Sequence, residues 1–374
     1  MDFILNQEQA ILRHSVERFC TDLKALDDKA PLDLRAQWTQ FAEMGLLGVA
    51  FDEAHGGSGG GGVELSLVAE QVGRNLLKIP FVSSIVVAAS LVQGLAPAAI
   101  RDELLPAVAE GRVLLAAALL EPGARYDLAA RATEASADGA FYVLNGRKSV
   151  VLAGGAADFL LVSARIAGSD GVSLFLVPGD AAGLERRVSA TLDGRETAEI
   201  GLAGVRVAAT ALLGGAGAAL PAIAAAVERG NAALVSEAVG AMGALFDVTV
   251  EYLRTRKQFG QQIGKFQALQ HRLVDMKVNL EMTRSLAGAA AMVVDVDDAG
   301  ERARIVSAAR VQAARAGRSI GQQAIQMHGA MGMTDELAVG HLVKRLMVLA
   351  AQQDDAGANL ERFMAYAGYS GAAA

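Results

Sequence analysis

The stretch EYLRTRKQFGQQIGKFQALQHRLVDM, residues 251–276, carries the reading of this chain. Apolar residues recur at helical spacing on either side of it, while its middle gathers Arg254, Arg256 and Lys257 with glutamines and with Gly260 and Gly264. The pattern predicts a helix ending near Thr255, a tight junction, and a second helix from about Phe266. At such a junction Arg256 and Lys257 offer charge, Gln258 offers amide hydrogen bonds, Gly260 lets backbone approach, and Phe259 adds a flat apolar surface. That chemistry suits phosphate oxygens. A solvated turn between two helices has the same composition, so these residues alone leave both readings open.

Working outward, no proline follows Pro221. Residues 231–255, 266–294 and 301–327 read as long helices. The last of these is rich in Ala, Gly and Ser, which suits close backbone approach within a bundle that also meets another subunit. Between about 113 and 215 the period changes. DGAFYVLNGRKSVVL places an apolar run between the turn pairs Asp138-Gly139 and Asn145-Gly146, and DFLLVSARI and VSLFLVPG are short strand-like runs. Residues up to about 112 are helical in pattern. Asn6 and Gln9 form a capping box, Leu12, Val16, Phe19, Cys20 and Leu23 share a face, and Pro80, Pro97 and Pro106 punctuate the later helices of this zone.

Composition removes several classes of function. A formal charge of −7 over 374 residues argues against general nucleic-acid binding, which needs a basic field across a whole face. The single cysteine, Cys20, excludes an internal disulfide. With an N-terminus lacking a signal-peptide pattern, that predicts a cytoplasmic location. Residues 207–227 carry no charge, but Gly214, Gly215, Gly217 and Pro221 interrupt them, so they read as a loop entering a buried helix. Gly57-x-Gly59-x-x-Gly62 matches the dinucleotide fingerprint as text only, because that motif needs a preceding strand and this zone is helical; a flexible interhelix loop is expected. His14, His55, His271, His328 and His341 show no metal spacing.

Residues 251–276, with QQAIQMHGAMGMTDE (322–336) and FAEMGLLGVAFDEAHGGSGGG (41–61), resemble the acyl-CoA dehydrogenase family of flavoproteins. The resemblance implies an α+β, mostly α fold: an N-terminal helical domain (1–112), a middle β-barrel-like domain (113–216) and a C-terminal four-helix bundle (217–374). It implies FAD as cofactor, an acyl-CoA substrate and an electron-transferring flavoprotein as acceptor. Arg256, Gln258 and Phe259, with Gln267 alongside, would reach across a dimer interface to the diphosphate and adenine half of a neighbour's FAD. Gln326 and Gly329 would supply further phosphate contacts.

The pattern departs from the family at the reacting end. Family members remove the substrate α-proton with a glutamate, which in the commonest subgroup lies near the chain's end; here the aligned residue is Gln353, followed by Asp354 and Asp355. A glutamine cannot take the proton, and a shorter aspartate misplaces it. A second subgroup carries the base early in the first bundle helix before an arginine, which corresponds to Glu228 and Arg229. On the flavin-ring side, the family's TEPxxGSD loop is LEPGARYD (120–127), with Leu120 in place of its threonine and Tyr126 in place of its serine, and Val150, Val151 and Leu152 replace its Trp-Ile-Thr. One half of a flavin site remains and the other is eroded. That asymmetry resembles the small subunits of heteromeric members such as the pimeloyl-CoA dehydrogenase type and implies a homo- or hetero-tetramer. A catalytically silent subunit, and a flavin-dependent oxidase or monooxygenase on the same fold, stay open as alternatives.

Overall fold

The computed structural model describes residues 4–31, 33–129 and 132–366. These form two compact units. A helical unit takes the described residues of 1–32, 62–78 and 231–374, and a second unit, built on a sheet, takes those of 33–61 and 79–230.

In the helical unit, α1 (Gln7–Lys29) starts at the expected capping box: Gln9 N donates to Asn6 Oδ1 at 2.8 Å and Asn6 N to Gln9 Oε1 at 3.0 Å. It buries Val16, Cys20 and Leu23 and packs on α3 (Gly62–Arg74). Burial pushes the Cys20 thiol up to about 12. The long helix α6 (Leu220–Thr255) tolerates Pro221 because it sits in the first turn, where its missing N–H has no intrahelical partner to lose. It is apolar enough to pass for a membrane span, yet 72% of its most apolar window is buried in the protein. Helices α3 and α6 cross almost without clearance. A Cβ on Gly240 would lie 1.8 Å from the Glu70 carbonyl oxygen, and one on Gly73 would lie 2.0 Å from that of Glu237. Helices α7 (Gln267–Val293), α9 (Ala338–Leu349) and α10 (Ala356–Tyr366) all pack on α8 (Ala299–His328). Beside the crossing, Arg345 of α9 donates to the buried Glu237 at 2.9 Å.

The other unit carries an eight-stranded mixed sheet. In chain order its strands are β1 (Leu115–Ala118), β2 (Glu134–Asp138), β3 (Phe141–Leu152), β4 (Phe159–Ile166), β5 (Ser173–Pro178), β6 (Leu184–Ala190), β7 (Glu196–Ala208) and β8 (Leu212–Leu213). They lie in the order β6-β7-β3-β2-β4-β5-β8, with β1 parallel to β4. Leu144, Leu160, Val162, Phe175, Ile200 and Val205 alternate inward to form its core. Asp138-Gly139 is a hairpin turn as expected. Asn145-Gly146 is not: it lies inside β3 at a register shift, where a Cβ on Gly146 would sit 2.6 Å from Thr133 Cα and glycine is required. The segment after Pro80 forms a π-helix (Phe81–Ala89) packed against β1, a geometry that no periodicity announces.

The glycine-rich run after Phe51 is less loose than its composition suggests. Gly59 N donates to Phe51 O at 2.7 Å, Gly60 N donates to Val49 O at 2.9 Å, and a Cβ on Gly57 would meet Phe51 O at 2.1 Å. His55 pins its start. Nε2 lies 3.0 Å from Asp102 Oδ1 and Nδ1 lies 2.5 Å from Asp52 Oδ1, so both ring N–H groups meet carboxylates. The Asp102 bond raises the imidazole's pKa most, Asp52 adds to it, and partial burial opposes them. A raised folded pKa stabilises fully below the unfolded value near pH 6.5 and loses that effect as pH climbs through the folded value. Thermal melts should therefore show the advantage of the native chain over His55→Gln largest at about pH 6 and shrinking towards about pH 9. A constant difference across that range would show that the imidazolium pairing adds nothing.

Candidate functional site

Helix α6 does not run straight into α7. Arg256 N still donates to Tyr252 O at 2.9 Å, and then β9 (Lys257–Gln258) pairs with β10 (Gln261–Gln262) in a two-residue hairpin. Both turn residues are left-handed, Phe259 at φ 54° and Gly260 at φ 80°, as this hairpin class requires. Gly260 adopts that shape at no steric cost, whereas Phe259 is strained. The residue is 89% exposed, and its ring meets Phe266 edge-on at 6.1 Å between centroids. The hairpin is closed by Ile263 N donating to Arg256 O at 2.9 Å and braced by Gln270 Nε2 donating to Gly264 O at 3.0 Å. Two strands of two residues each are too short for any periodicity to show. The side chains of Arg256, Gln258 and Gln267 are exposed and make no hydrogen bond or ion pair among the described residues.

The end of α8 lies beside this hairpin's root. Tyr252 of α6 stacks on His328 at 4.4 Å and donates from its hydroxyl to His328 O at 3.3 Å, and Arg272 of α7 donates to Gln323 of α8 at 3.2 Å. Gln326 is exposed there, and Gly329 turns the chain at φ 61° and ψ −141° with open space where a Cβ would stand. Six residues singled out in the sequence, Arg256, Gln258, Phe259, Gln267, Gln326 and Gly329, are thus carried at one end of the helical unit. Unpaired guanidinium and amide donors, open glycine backbone and a bare aromatic face fit the diphosphate and adenine of a nucleotide cofactor.

Glu228 and Arg229 are not part of that cluster. They lie early in α6, half-buried, within the sheet-containing unit. The same unit holds both eroded segments, and they are bonded to each other. Ser149 N donates to Leu120 O at 2.9 Å, and Lys148 Nζ donates to Glu121 Oε1 at 2.7 Å and to Ser163 Oγ at 2.9 Å. Glu121 also accepts from Ala132 N and Thr133 N. Burial lowers the Lys148 pKa against the pull of Glu121; burial raises that of Glu121, but Lys148 and Thr133 outweigh it and leave it lowered. On this anchored strand Val150 sits at φ 53° and is 58% exposed, and Ala153, just past the strand's end, sits at φ 58°. A β-branched residue in the left-handed region is a genuine outlier, and it stands two residues beyond the buried Lys148.

The chain's last acidic pair is structural. Asp354 is buried and accepts from Asn231 at 2.8 Å, Arg362 at 3.0 Å and Arg310 at 3.3 Å. Arg310 also donates to the carbonyls of Leu349, Gln352 and Asp354, so one guanidinium holds the whole loop. Asp355 accepts from Ala358 N at 2.9 Å and caps α10. Gln353 lies between them at φ 70°. Both carboxylates are engaged in holding the fold, and for Asp354 the sequence did not reveal it because Asn231 and Arg310 lie far away along the chain.

Comparison with known proteins agrees with this architecture. The acyl-CoA dehydrogenase N-terminal, middle and C-terminal domain models match residues 6–112, 116–205 and 208–352. The chain is similar to a probable acyl-CoA dehydrogenase, YngJ, of Bacillus subtilis, at 29% identity over 92% of this chain and 93% of that one. It is also similar to the acryloyl-CoA reductase (NADH) of Anaerotignum propionicum, at 30% identity over 89% and 87%. Among solved structures it resembles a variant of the Tcur3481-Tcur3483 steroid ACAD, with a TM-score of 0.85 at 29% identity over 97% and 98%. Three domain matches in order along nearly the whole length, on a mostly helical chain with a sheet in its middle, leave one conclusion: this chain belongs to the acyl-CoA dehydrogenase family, oxidoreductases that act on CH–CH bonds.

Proposed function

We propose that this chain is one subunit of a cytoplasmic FAD-dependent acyl-CoA dehydrogenase, forming α,β-unsaturated acyl-CoA and passing electrons to an electron-transferring flavoprotein. The observation that carries the reading is the strained, solvent-directed hairpin with its unpaired Arg256 and Gln258. Arg256, Gln258, Gln267 and Gln326 hold the diphosphate of FAD, Gly329 allows its close approach, and Phe259 covers the adenine. Bound there, FAD supplies the acceptor for the substrate's β-hydrogen as hydride. Glu228 takes the α-proton, with Arg229 beside it. Leu120, Val150 and Leu152 offer a flavin ring neither the hydroxyl group nor the stacking surface of the family pattern, and Tyr126 puts a bulky phenol where that pattern has a serine, so the ring pocket comes from a related, larger chain. Likeness to the steroid ACAD that carries two component names, Tcur3481 and Tcur3483, supports a two-chain assembly.

The stoichiometry of flavin tests this directly. Purified alone, the chain should carry well under one FAD per subunit, with flavin and activity restored by the larger partner; one tight FAD per subunit, reducible by an acyl-CoA, would make it an ordinary homotetramer. In the loaded assembly Arg256→Ala should weaken FAD retention by one to two decades, from a charge-assisted contact worth roughly 1.5–3 kcal/mol, while Lys265→Ala should change little.

The identity of the base is separable from binding. Glu228→Gln should keep fold and flavin yet abolish anaerobic bleaching of the flavin by an acyl-CoA; full bleaching would move the proton transfer to the partner and leave this chain catalytically silent. Asp354→Ala should instead lower stability by about 3–5 kcal/mol in denaturant melts, because it strands the buried Arg310. A fully stable Asp354→Ala protein would contradict the structural role given to this aspartate.

A further inference from the structure

We propose that Tyr252 is the positioning residue that brings the two halves of the dinucleotide grip onto one diphosphate, holding the hairpin through its carbonyl and the end of α8 through its ring and hydroxyl. The inference rests on the assignment of Arg256, Gln258, Gln326 and Gly329 to FAD. Tyr252 lies half-buried in the last turn of α6. Its carbonyl accepts from Arg256 N at 2.9 Å and from Thr255 Oγ1 at 3.3 Å, so the point where the hairpin leaves the helix is tied to this residue. Its ring lies over that of the buried His328, 4.4 Å between centroids and 28° from parallel, and its hydroxyl donates to His328 O at 3.3 Å. One side chain thus joins segments 76 residues apart.

These contacts orient backbone as well as side chains. His328 O belongs to the planar His328–Gly329 peptide, so the hydroxyl that holds this oxygen also sets the direction of the Gly329 N–H, which donates to Gln326 O. Gly329 then turns at φ 61° and ψ −141°, a region that glycine alone adopts freely. The imidazole is fixed on its other edge, where Nδ1 lies 2.8 Å from Ala324 O; a carbonyl only accepts, so Nδ1 carries the proton of this bond. Gln326 and Gly329 flank His328 along the chain, and Arg256 and Gln258 follow Tyr252. The stack between the two rings therefore fixes the offset between the two sets of donors. A diphosphate met by donors whose offset is already set costs less ordering on binding than one that must assemble them.

Isothermal titration of the full-length chain with ADP, which carries the diphosphate and adenine of FAD without the flavin, reads the grip alone, and a thermal melt without nucleotide reads the fold. The native chain should bind ADP, and Arg256→Ala should weaken that binding about tenfold or more. Tyr252→Leu should weaken it about tenfold and His328→Leu by a similar factor, and the double variant should lose no more than either single one, because the two rings act as one contact. Tyr252→Phe keeps the stack and loses only the long hydroxyl bond, so it should bind within about threefold of the native chain. A role in stability alone would lower the melts of Tyr252→Leu and His328→Leu and leave the ADP affinity of the folded protein native; that result would overturn the proposal, as would losses from the two variants that multiply. If Arg256→Ala weakens ADP binding and neither ring variant does, the FAD assignment stands and the positioning role falls. If the native chain binds no ADP, or Arg256→Ala binds it at native strength, the FAD assignment fails and the positioning role with it.

Discussion

Two missing side chains set the helical unit. Helices α3 and α6 approach until a Cβ at Gly240 or at Gly73 would overlap a carbonyl of the other helix. Helix α3 comes from the first fifth of the sequence and α6 from its latter half, so this contact fastens the N-terminal helices to the bundle. The neighbouring residues depend on it. Glu237, whose carbonyl faces Gly73, also receives Arg345 from α9 in a buried ion pair, which costs desolvation and is offset only in fixed geometry. Ser66 and Ser236 share a hydrogen bond of 2.8 Å across the same pair of helices. Once the crossing is fixed, the direction of α6 is fixed, and with it the place where its last turn must give way to the hairpin.

Much of this was legible in the sequence because it depends on local grammar. The capping box at Asn6 and Gln9, the change from helical to strand-like period near residue 113, and the proline-free run after Pro221 are all near-neighbour signals. What escaped depends on partners distant in sequence or on elements too short to be periodic. Asn145-Gly146 has the composition of a turn, but it is a register shift inside β3, closely approached by Thr133. Asp354 looked like a displaced base until Asn231, Arg310 and Arg362 converged on it. The hairpin behind Phe259 needs four paired residues, fewer than one turn of any pattern can reveal.

The two units differ in the same way. The helical unit presents side-chain donors without partners among the described residues at the hairpin, and the left-handed Phe259 there is exposed to solvent. The sheet-containing unit turns its polar groups on itself. Glu121, Lys148 and Ser163 close a buried network, and the strand then displays the aliphatic Val150. Left-handed non-glycine residues stand on both surfaces, Phe259 in a two-residue turn and Val150 two residues beyond a buried ion pair.

Cys20 gives the chain an intrinsic clock. Its thiol is fully buried on α1, protonated far above neutral pH, and without another cysteine to exchange with. Only the thiolate reacts with an alkylating reagent, so modification has to pass through a state in which α1 has come away from α3 and the thiol has regained its ordinary acidity. When reclosing outruns the reagent, the observed labelling rate reports the free energy of that opening; when it does not, it reports the opening rate itself. The molecule thus carries its own kinetic record of how often its first helix lets go, readable without introducing a probe.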